Sequence, residues 1–167
     1  KANATRKRSN IISMHKGIDE EKESQIIFVD TPGIHEKEKL INQFMLEEAL
    51  KAIGDCDLIL FLAPVTDKIE YYEDFLERNK KNTKHIIVLT KTDFVQPGEV
   101  LDKITEYEQF QDKYEKIIPM TIKKGNKQNQ LLDEVVKLLP NSPYLYDTEI
   151  LTTDHLSSPV VIEYNKK

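Results

Sequence analysis

Four short stretches of the chain are almost continuously apolar. Runs of this length suit strands that are buried on both faces of a sheet. They cover residues 25–30, 58–64, 85–90 and 116–121. We interpret a further stretch, residues 6–15, as an edge strand that precedes Gly17, although its apolar and polar positions alternate poorly.

Between these runs, hydrophobic residues recur with helical spacing. Four segments show the pattern, and the last stops at Pro140 because proline cannot continue a helix. Strands that alternate with helices predict an α/β fold with a mostly parallel sheet, whose ligands bind at the carboxyl ends of the strands. The apolar helix positions are Ile41, Phe44, Met45, Ala49, Ala52 and Ile53; Tyr72, Phe75 and Leu76; Val100, Leu101, Ile104 and Tyr107; and Leu131, Leu132, Val135, Val136 and Leu139.

The composition fits one globular domain with at most a fragment of another. The 167 residues are 39% hydrophobic, and the net charge of −5 argues against a protein that coats nucleic acid with its whole surface. The single Cys56 cannot form an internal disulfide. No stretch has the pattern of a signal peptide or the length of an apolar membrane span. We therefore expect a cytoplasmic protein, and a monomer.

The first apolar run ends in Asp30-Thr31-Pro32-Gly33. A carboxylate at the end of a parallel strand can hold Mg²⁺ through the water shell of the ion, and Gly33 lets the backbone approach a phosphate oxygen. Asp30 and Gly33 are therefore candidate contacts for a nucleotide phosphate and its metal. An ordinary strand-ending turn is the alternative interpretation.

The run at 85–90 leads into Thr90-Lys91-Thr92-Asp93. This segment matches the Asn-Lys-x-Asp motif of GTPases except at its first residue. The Asp93 carboxylate could accept two hydrogen bonds from guanine, a donor pair that adenine lacks, and Lys91 would lie along the base and ribose. The alternative is a helix N-cap formed by Thr92 or Asp93.

A third candidate segment follows the last apolar run. Residues 119–125 loosely resemble the Ser-Ala-Lys loop that closes over guanine with backbone amides, which makes Thr121, Ile122 and Lys123 candidate nucleotide contacts.

These segments, in their order and spacing, resemble the Era family of bacterial GTPases, of the TrmE-Era-EngA type. The resemblance covers roughly residues 1–156 and includes four motifs. They are Lys1-Ala2-Asn3-Ala4-Thr5-Arg6, Asp30-Thr31-Pro32-Gly33-Ile34-His35, Ile53-Gly54-Asp55-Cys56-Asp57 and Thr90-Lys91-Thr92-Asp93.

The resemblance implies a Ras-like P-loop GTPase domain that binds GTP or GDP with Mg²⁺ and hydrolyses GTP. By the same resemblance, Thr5 would face the metal ion, as would Asp30 through water. Ile34 stands where Ras-like GTPases carry a water-orienting Gln, so slow hydrolysis is expected. No catalytic residue is assigned, because a surface histidine beside a switch, such as His35, is more often only a solvated side chain.

The motif Gly-x-x-x-x-Gly-Lys-Ser/Thr, which cradles nucleotide phosphates, is absent from the 167 residues. In this fold the strand before that loop lies centrally, between the strands at 25–30 and 58–64. If no strand occupied this position, backbone N–H and C=O groups of the two neighbouring strands would lack hydrogen-bond partners. Each such group would cost about 1–3 kcal/mol, against a total stability of about 5–15 kcal/mol. Either another segment fills the slot or the parent protein has residues missing from this chain; we favour the second explanation.

The resemblance also divides the chain into parts. Residues 1–150 would be the GTP-binding domain without its first strand and phosphate loop, and 151–156 a linker. Residues 157–167 would begin a KH-like RNA-binding domain, with a tag or linker remnant as the alternative. Era-like proteins use such a domain to bind the 16S ribosomal RNA of the small ribosomal subunit, which predicts a GTP-driven switch in 30S assembly.

Two rival functions remain open. One is a non-hydrolysing scaffold that binds the ribosome or RNA, and the other is a different ribosome- or tRNA-associated GTPase. The basic residues Lys1, Arg6, Lys7 and Arg8 are compatible with contacts to phosphate, to ribosomal RNA or to the inner-membrane surface, and the last of these would give a peripheral location at that membrane. A solvated edge strand explains them more simply.

Overall fold

The computed structural model describes residues 9–18, 20–30, 56–121, 127–141 and 160–165. Within these ranges the strands are β1 (Ser9–His15), β2 (Ser24–Asp30), β3 (Leu58–Pro64), β4 (His85–Thr90), β5 (Lys116–Pro119) and β6 (Val160–Asn165). The α-helices are α1 (Ile69–Arg78), α2 (Pro97–Tyr107) and α3 (Lys127–Leu138). Short 3₁₀ helices cover Thr92–Phe94 and Glu108–Phe110.

The strands form one sheet in the order β1-β2-β6-β3-β4-β5. The edge strand β1 is antiparallel to β2, and every other neighbouring pair is parallel. The predicted α/β fold with a mostly parallel sheet is thereby confirmed. The weakly patterned segment at 6–15 does contain the predicted edge strand, over Ser9–His15.

Side chains of β3 and β4 enter both faces of the sheet. Ile59, Phe61 and Ala63 pack on one face with α1 and α2, whereas Leu58 and Leu60 pack on the other face with α3. Because a strand turns successive side chains to opposite faces, a strand covered on both sides must be apolar throughout. The continuous apolar runs of the sequence therefore mark the middle of the sheet.

Strand β6 occupies the slot between β2 and β3, in parallel to both. Val160 stands opposite Ile27 of β2, and Ile162 stands opposite Ile59 of β3. The sequence favours missing residues over a second segment in this slot, whereas the structure shows the slot filled by β6. The physical reason is that Val160, Val161 and Ile162 are β-branched and apolar, which suits a central strand.

Residues 157–167 had been assigned to the start of a KH-like domain. Of these, Val160–Asn165 are part of this sheet. The division of the chain into domains stays a prediction.

Two further details differ from the sequence analysis. Leu101 was expected to cover the sheet, but its side chain is 64% exposed. Strand β5 ends at Pro119, two residues before the predicted end. The helix predicted from Ile41 to Ile53 lies outside the described residues.

No helix in the described part of the chain combines the length and the apolar character needed to cross a membrane.

Candidate nucleotide-binding site

The carboxyl ends of the parallel strands lie along one edge of the sheet. Asp30 ends β2, Thr90 ends β4, and Pro119 ends β5. Since β6 and β3 separate β2 from β4, Asp30 and Thr90 are three strand positions apart, about 14 Å at the usual spacing of about 4.8 Å. The two predicted motifs thus begin at the same edge of the sheet.

The chain reverses direction directly after β4. Lys91 adopts φ 58° and ψ 35°, the left-handed conformation that costs a residue with a side chain about 1 kcal/mol. The 3₁₀ helix Thr92–Phe94 follows, and the Phe94 N–H donates to the Lys91 carbonyl at 3.0 Å. Strain of this kind persists only where the surrounding contacts fix the backbone.

Those contacts join the loop after β4 to the loop after β5. The backbone N–H and the hydroxyl of Thr92 both donate to the Met120 carbonyl, at 3.4 and 3.3 Å. The Met120 N–H in turn donates to the Leu89 carbonyl at 2.7 Å. The two predicted nucleotide segments therefore form one hydrogen-bonded unit at the edge of the sheet.

Asp93 and Thr121 meet within this unit. The Thr121 hydroxyl donates to Oδ1 of Asp93 at 2.7 Å, across 28 residues of sequence. The Asp93 side chain is exposed to solvent, so a ligand can reach it. A carboxylate whose direction is fixed before the ligand arrives loses less freedom on binding. This arrangement can accept hydrogen bonds from a ligand that presents adjacent N–H donors, as guanine does.

The capping alternative for this motif is not what the structure shows. The 3₁₀ helix begins after Lys91, and α2 begins after Gln96; neither N-cap residue forms a side-chain capping bond. The Thr92 and Asp93 side chains instead contact Met120 and Thr121. Thr90, where related motifs carry Asn, is half-buried, and its carbonyl accepts the Val65 N–H at 2.9 Å.

Several predicted site residues cannot be placed. Thr5, Gly33, Ile122 and Lys123 lie outside the described residues, as does the side chain of Asp30. Within the described part, no group of three or more His, Cys, Asp or Glu side chains is arranged to hold a metal ion. The proposed contacts to phosphate and Mg²⁺ therefore stay predictions.

Three residues at this edge were not among the predicted site residues. Thr92 and Met120 tie the loops together, and Phe94 presents a ring that is 66% exposed. The only sequence signal for Phe94 is its spacing of three residues from Lys91, which is the separation of two residues joined by a turn hydrogen bond.

Comparison with known proteins identifies the class of this domain. Residues 1–91, more than half of the chain, match the family described as 50S ribosome-binding GTPase. With its mostly parallel sheet and its linked loops, the chain has the Ras-like GTPase fold. The chain belongs to the 50S ribosome-binding GTPase family.

Within that family the chain is similar to proteins named GTPase Era. It is 48% identical over 153 residues to GTPase Era of Campylobacter fetus, covering 92% of this chain and 50% of that protein. It is also 48% identical over 152 residues to GTPase Era of Campylobacter concisus, covering 91% and 50%. The chain thus spans about half the length of the curated relatives it matches. The resemblance to Era seen in the sequence is confirmed.

Solved structures agree with this assignment. A variant of Aquifex aeolicus Era bound to GDP·AlF4⁻ superposes with a TM-score of 0.69 at 29% identity, over 88% of this chain and 50% of that one. Elongation factor SelB of Methanococcus maripaludis, in complex with the GTP analogue GppNHp, gives a TM-score of 0.58 at 21% identity, over 85% and 30%. The second likeness supports the fold alone.

Proposed function

We propose that this chain forms the guanine-reading part of an Era-type GTPase, which binds GTP with Mg²⁺ and hydrolyses it slowly. One observation carries the proposal: the exposed Asp93 carboxylate at the carboxyl edge of the sheet, held by the Thr121 hydroxyl at 2.7 Å. Guanine presents two adjacent N–H donors to such a group. Adenine presents none in that position, and would leave the desolvated carboxylate unpaired.

The phosphate end of the nucleotide would lie toward β2. Asp30 and Thr5 would hold Mg²⁺, Asp30 through a water molecule, and Gly33 would let the backbone reach the terminal phosphate. The ion would neutralise charge that develops on the transferred phosphoryl group. Ile34, in place of a water-orienting Gln, supports slow intrinsic hydrolysis.

We infer from the same resemblance that the nucleotide state controls binding to the small ribosomal subunit and its 16S ribosomal RNA, in the cytoplasm or at the inner-membrane surface. The matched family is described as binding the 50S subunit, so an experiment must decide which of the two ribosomal subunits this protein binds. Cosedimentation of the full-length protein with isolated 30S and 50S subunits would answer it. We expect GTP-dependent association with the 30S subunit; association with the 50S subunit alone would contradict this part of the proposal.

A second candidate is a scaffold that binds the ribosome or RNA without hydrolysing GTP. Strand β6 favours it, because Val160–Asn165 fill the central slot that the strand of a phosphate loop would otherwise need. Such a protein would show no GTP turnover in the presence of ribosomal subunits.

Nucleotide binding by the full-length protein separates these functions. We expect GTP to bind with Mg²⁺, ATP to bind far more weakly, and Asp93→Ala to remove the preference for GTP. Asp102→Ala is a matched control, because Asp102 is an exposed carboxylate on α2. A preference for ATP, or unchanged GTP binding by Asp93→Ala, would contradict the proposed function.

A further inference from the structure

The Lys91 side chain is held by an aromatic ring outside the residues that the proposed site uses. Its Nζ lies 5.7 Å from the centroid of the Phe94 ring. This distance is within the limit of about 6 Å for attraction between an ammonium group and the face of an aromatic ring. The contact is a consequence of the turn, since the Phe94 N–H donates to the Lys91 carbonyl at 3.0 Å and brings the two residues together.

Phe94 places a large, exposed apolar ring at the edge of the sheet where ligands bind. Its side chain is 66% exposed, directly after Asp93 and at the ligand-binding edge of the sheet. The neighbouring Val95 packs against the core, which fixes where the turn lies on the sheet. The loop is therefore anchored by Val95, and burial of the Phe94 ring does not contribute to its stability.

Lys91 needs such a restraint. Its backbone is fixed in the left-handed conformation, but its side chain is exposed and has four rotatable bonds. A lysine that must lie along a base and ribose loses rotamer freedom when the ligand binds, which weakens affinity. A ring that already restrains the lysine reduces that loss.

We propose that Phe94 is a positioning residue for guanine nucleotides, acting through Lys91. The Phe94 ring holds the Lys91 ammonium group on the side of the turn from which the lysine contacts the nucleotide. The inference rests on the proposed function, since it concerns the same binding site. It assigns to Phe94 a contribution to the affinity for GDP and GTP alike, because Lys91 serves the base and ribose rather than the phosphates.

The test is a double-mutant cycle on the full-length protein, with the dissociation constants of GDP and GTP as readout. Phe94→Leu keeps an apolar side chain but removes the ring, and should weaken both nucleotides about two- to fivefold. Phe94→Tyr keeps the ring and should bind like the original protein. In a Lys91→Met background, Phe94→Leu should have no further effect. In turnover assays the change should be in KM rather than in kcat.

Leu101→Ala is the matched control, since Leu101 is 64% exposed and lies on α2 away from the turn. It should leave nucleotide binding unchanged. Three results would overturn the inference: unchanged affinity in Phe94→Leu, tighter binding in Phe94→Leu, or an equal loss in the Lys91→Met background. The last would mean that the ring contacts the nucleotide itself.

Asp93→Ala in the same series separates this inference from the proposed function. If the original protein binds GTP and Asp93→Ala does not, while Phe94→Leu binds normally, only the role of Phe94 is rejected. If the original protein binds no guanine nucleotide, the proposed function fails and the role of Phe94 fails with it.

Discussion

Asp93 combines two properties that favour recognition: it is accessible to solvent, and a hydrogen bond from Thr121 fixes its orientation. An exposed carboxylate without such a bond would sample several rotamers. Thr121, the residue that donates this bond, lies in a loop 28 positions further along the chain. Recognition at this edge therefore depends on the packing of β4 beside β5 as much as on the motif itself.

Thr121→Ala tests this dependence. Loss of the hydroxyl removes one hydrogen bond to a charged group that is open to solvent, which we expect to weaken GTP binding by about 1 kcal/mol, or about fivefold. Thr121→Ser keeps the hydroxyl and should bind GTP normally. Equal affinities for all three proteins, measured by isothermal titration, would show that Asp93 needs no partner.

His85 gives a prediction about stability and pH. Its imidazole is 1% exposed, and its Nε2 is 2.7 Å from the hydroxyl of Tyr72. Burial lowers the pKa of His85 to about 4. In the unfolded chain the pKa would be about 6.5, so below that pH the unfolded state binds a proton that the folded state does not.

The stabilisation from neutral His85 is therefore complete above pH 6.5 and is lost as the pH falls toward 4. The free energy of unfolding should decrease by about 3 kcal/mol across this range. Chemical denaturation at several pH values measures it. His85→Gln keeps a polar partner for Tyr72 but cannot titrate. The free energy of unfolding of this variant should therefore not show the decrease between pH 6.5 and 4 that His85 causes. The same slope in both proteins would contradict the assignment.

At the scale of elements, the strands were easier to predict than the helix faces. β3 and β4 are covered on both sides, so their sequences are apolar without interruption, and their predicted limits agree with the structure. In α2, Val100, Ile104 and Tyr107 face the core at spacings of four and three residues. Leu101 directly follows Val100 and lies beside the buried face of the helix rather than on it. The spacing of apolar residues alone did not distinguish Leu101 from the buried positions.

The end of β5 was also misjudged, for a local reason. After Pro119 the Met120 N–H still donates to the Leu89 carbonyl, but the Met120 carbonyl accepts hydrogen bonds from Thr92, which lies beyond the end of β4, so the ladder stops here. A hydrophobic residue such as Met120 extends the apolar run without extending the strand.

Phe75 shows how α1 is held on the sheet. Its side chain is fully buried, with ring centroids 4.9 Å from Phe61 and 5.0 Å from His85. Phe75→Ala should lower the free energy of unfolding by about 3–5 kcal/mol, a large share of the stability of a typical domain. Leu101→Ala, on the exposed face of α2, should change it by less than about 0.5 kcal/mol. Urea denaturation of the two variants would test this, and equal effects would contradict the packing described.

At the scale of the whole molecule, the sequence predicted the kind of sheet but not the strand that completes it. The pairing of β6 with β2 and β3 joins residues more than 90 positions apart in one parallel ladder. No local pattern around Val160 indicates which slot such a strand enters. The candidate site was similar: the motifs predicted Asp93 and Thr121 separately, but only the fold shows that they touch.

Amide hydrogen exchange tests this arrangement of strands. Backbone groups in a central strand bond to neighbours on both sides, so the amides of β6, β3 and β4 should exchange slowest among the described residues. In the edge strand β1, only amides directed at β2 should be protected. Rapid exchange across Val160–Asn165 with slow exchange in β3 would contradict the position of β6.

The central claim is that Asp93 recognises guanine, and a change of base preference tests it most directly. Asp93→Asn replaces one carboxylate oxygen by an N–H donor, which suits xanthine, because xanthine carries a carbonyl oxygen in place of the exocyclic amine of guanine. We predict that the full-length Asp93→Asn protein binds xanthosine triphosphate more tightly than GTP, with the reverse order in the original protein. An unchanged preference for GTP would contradict the account.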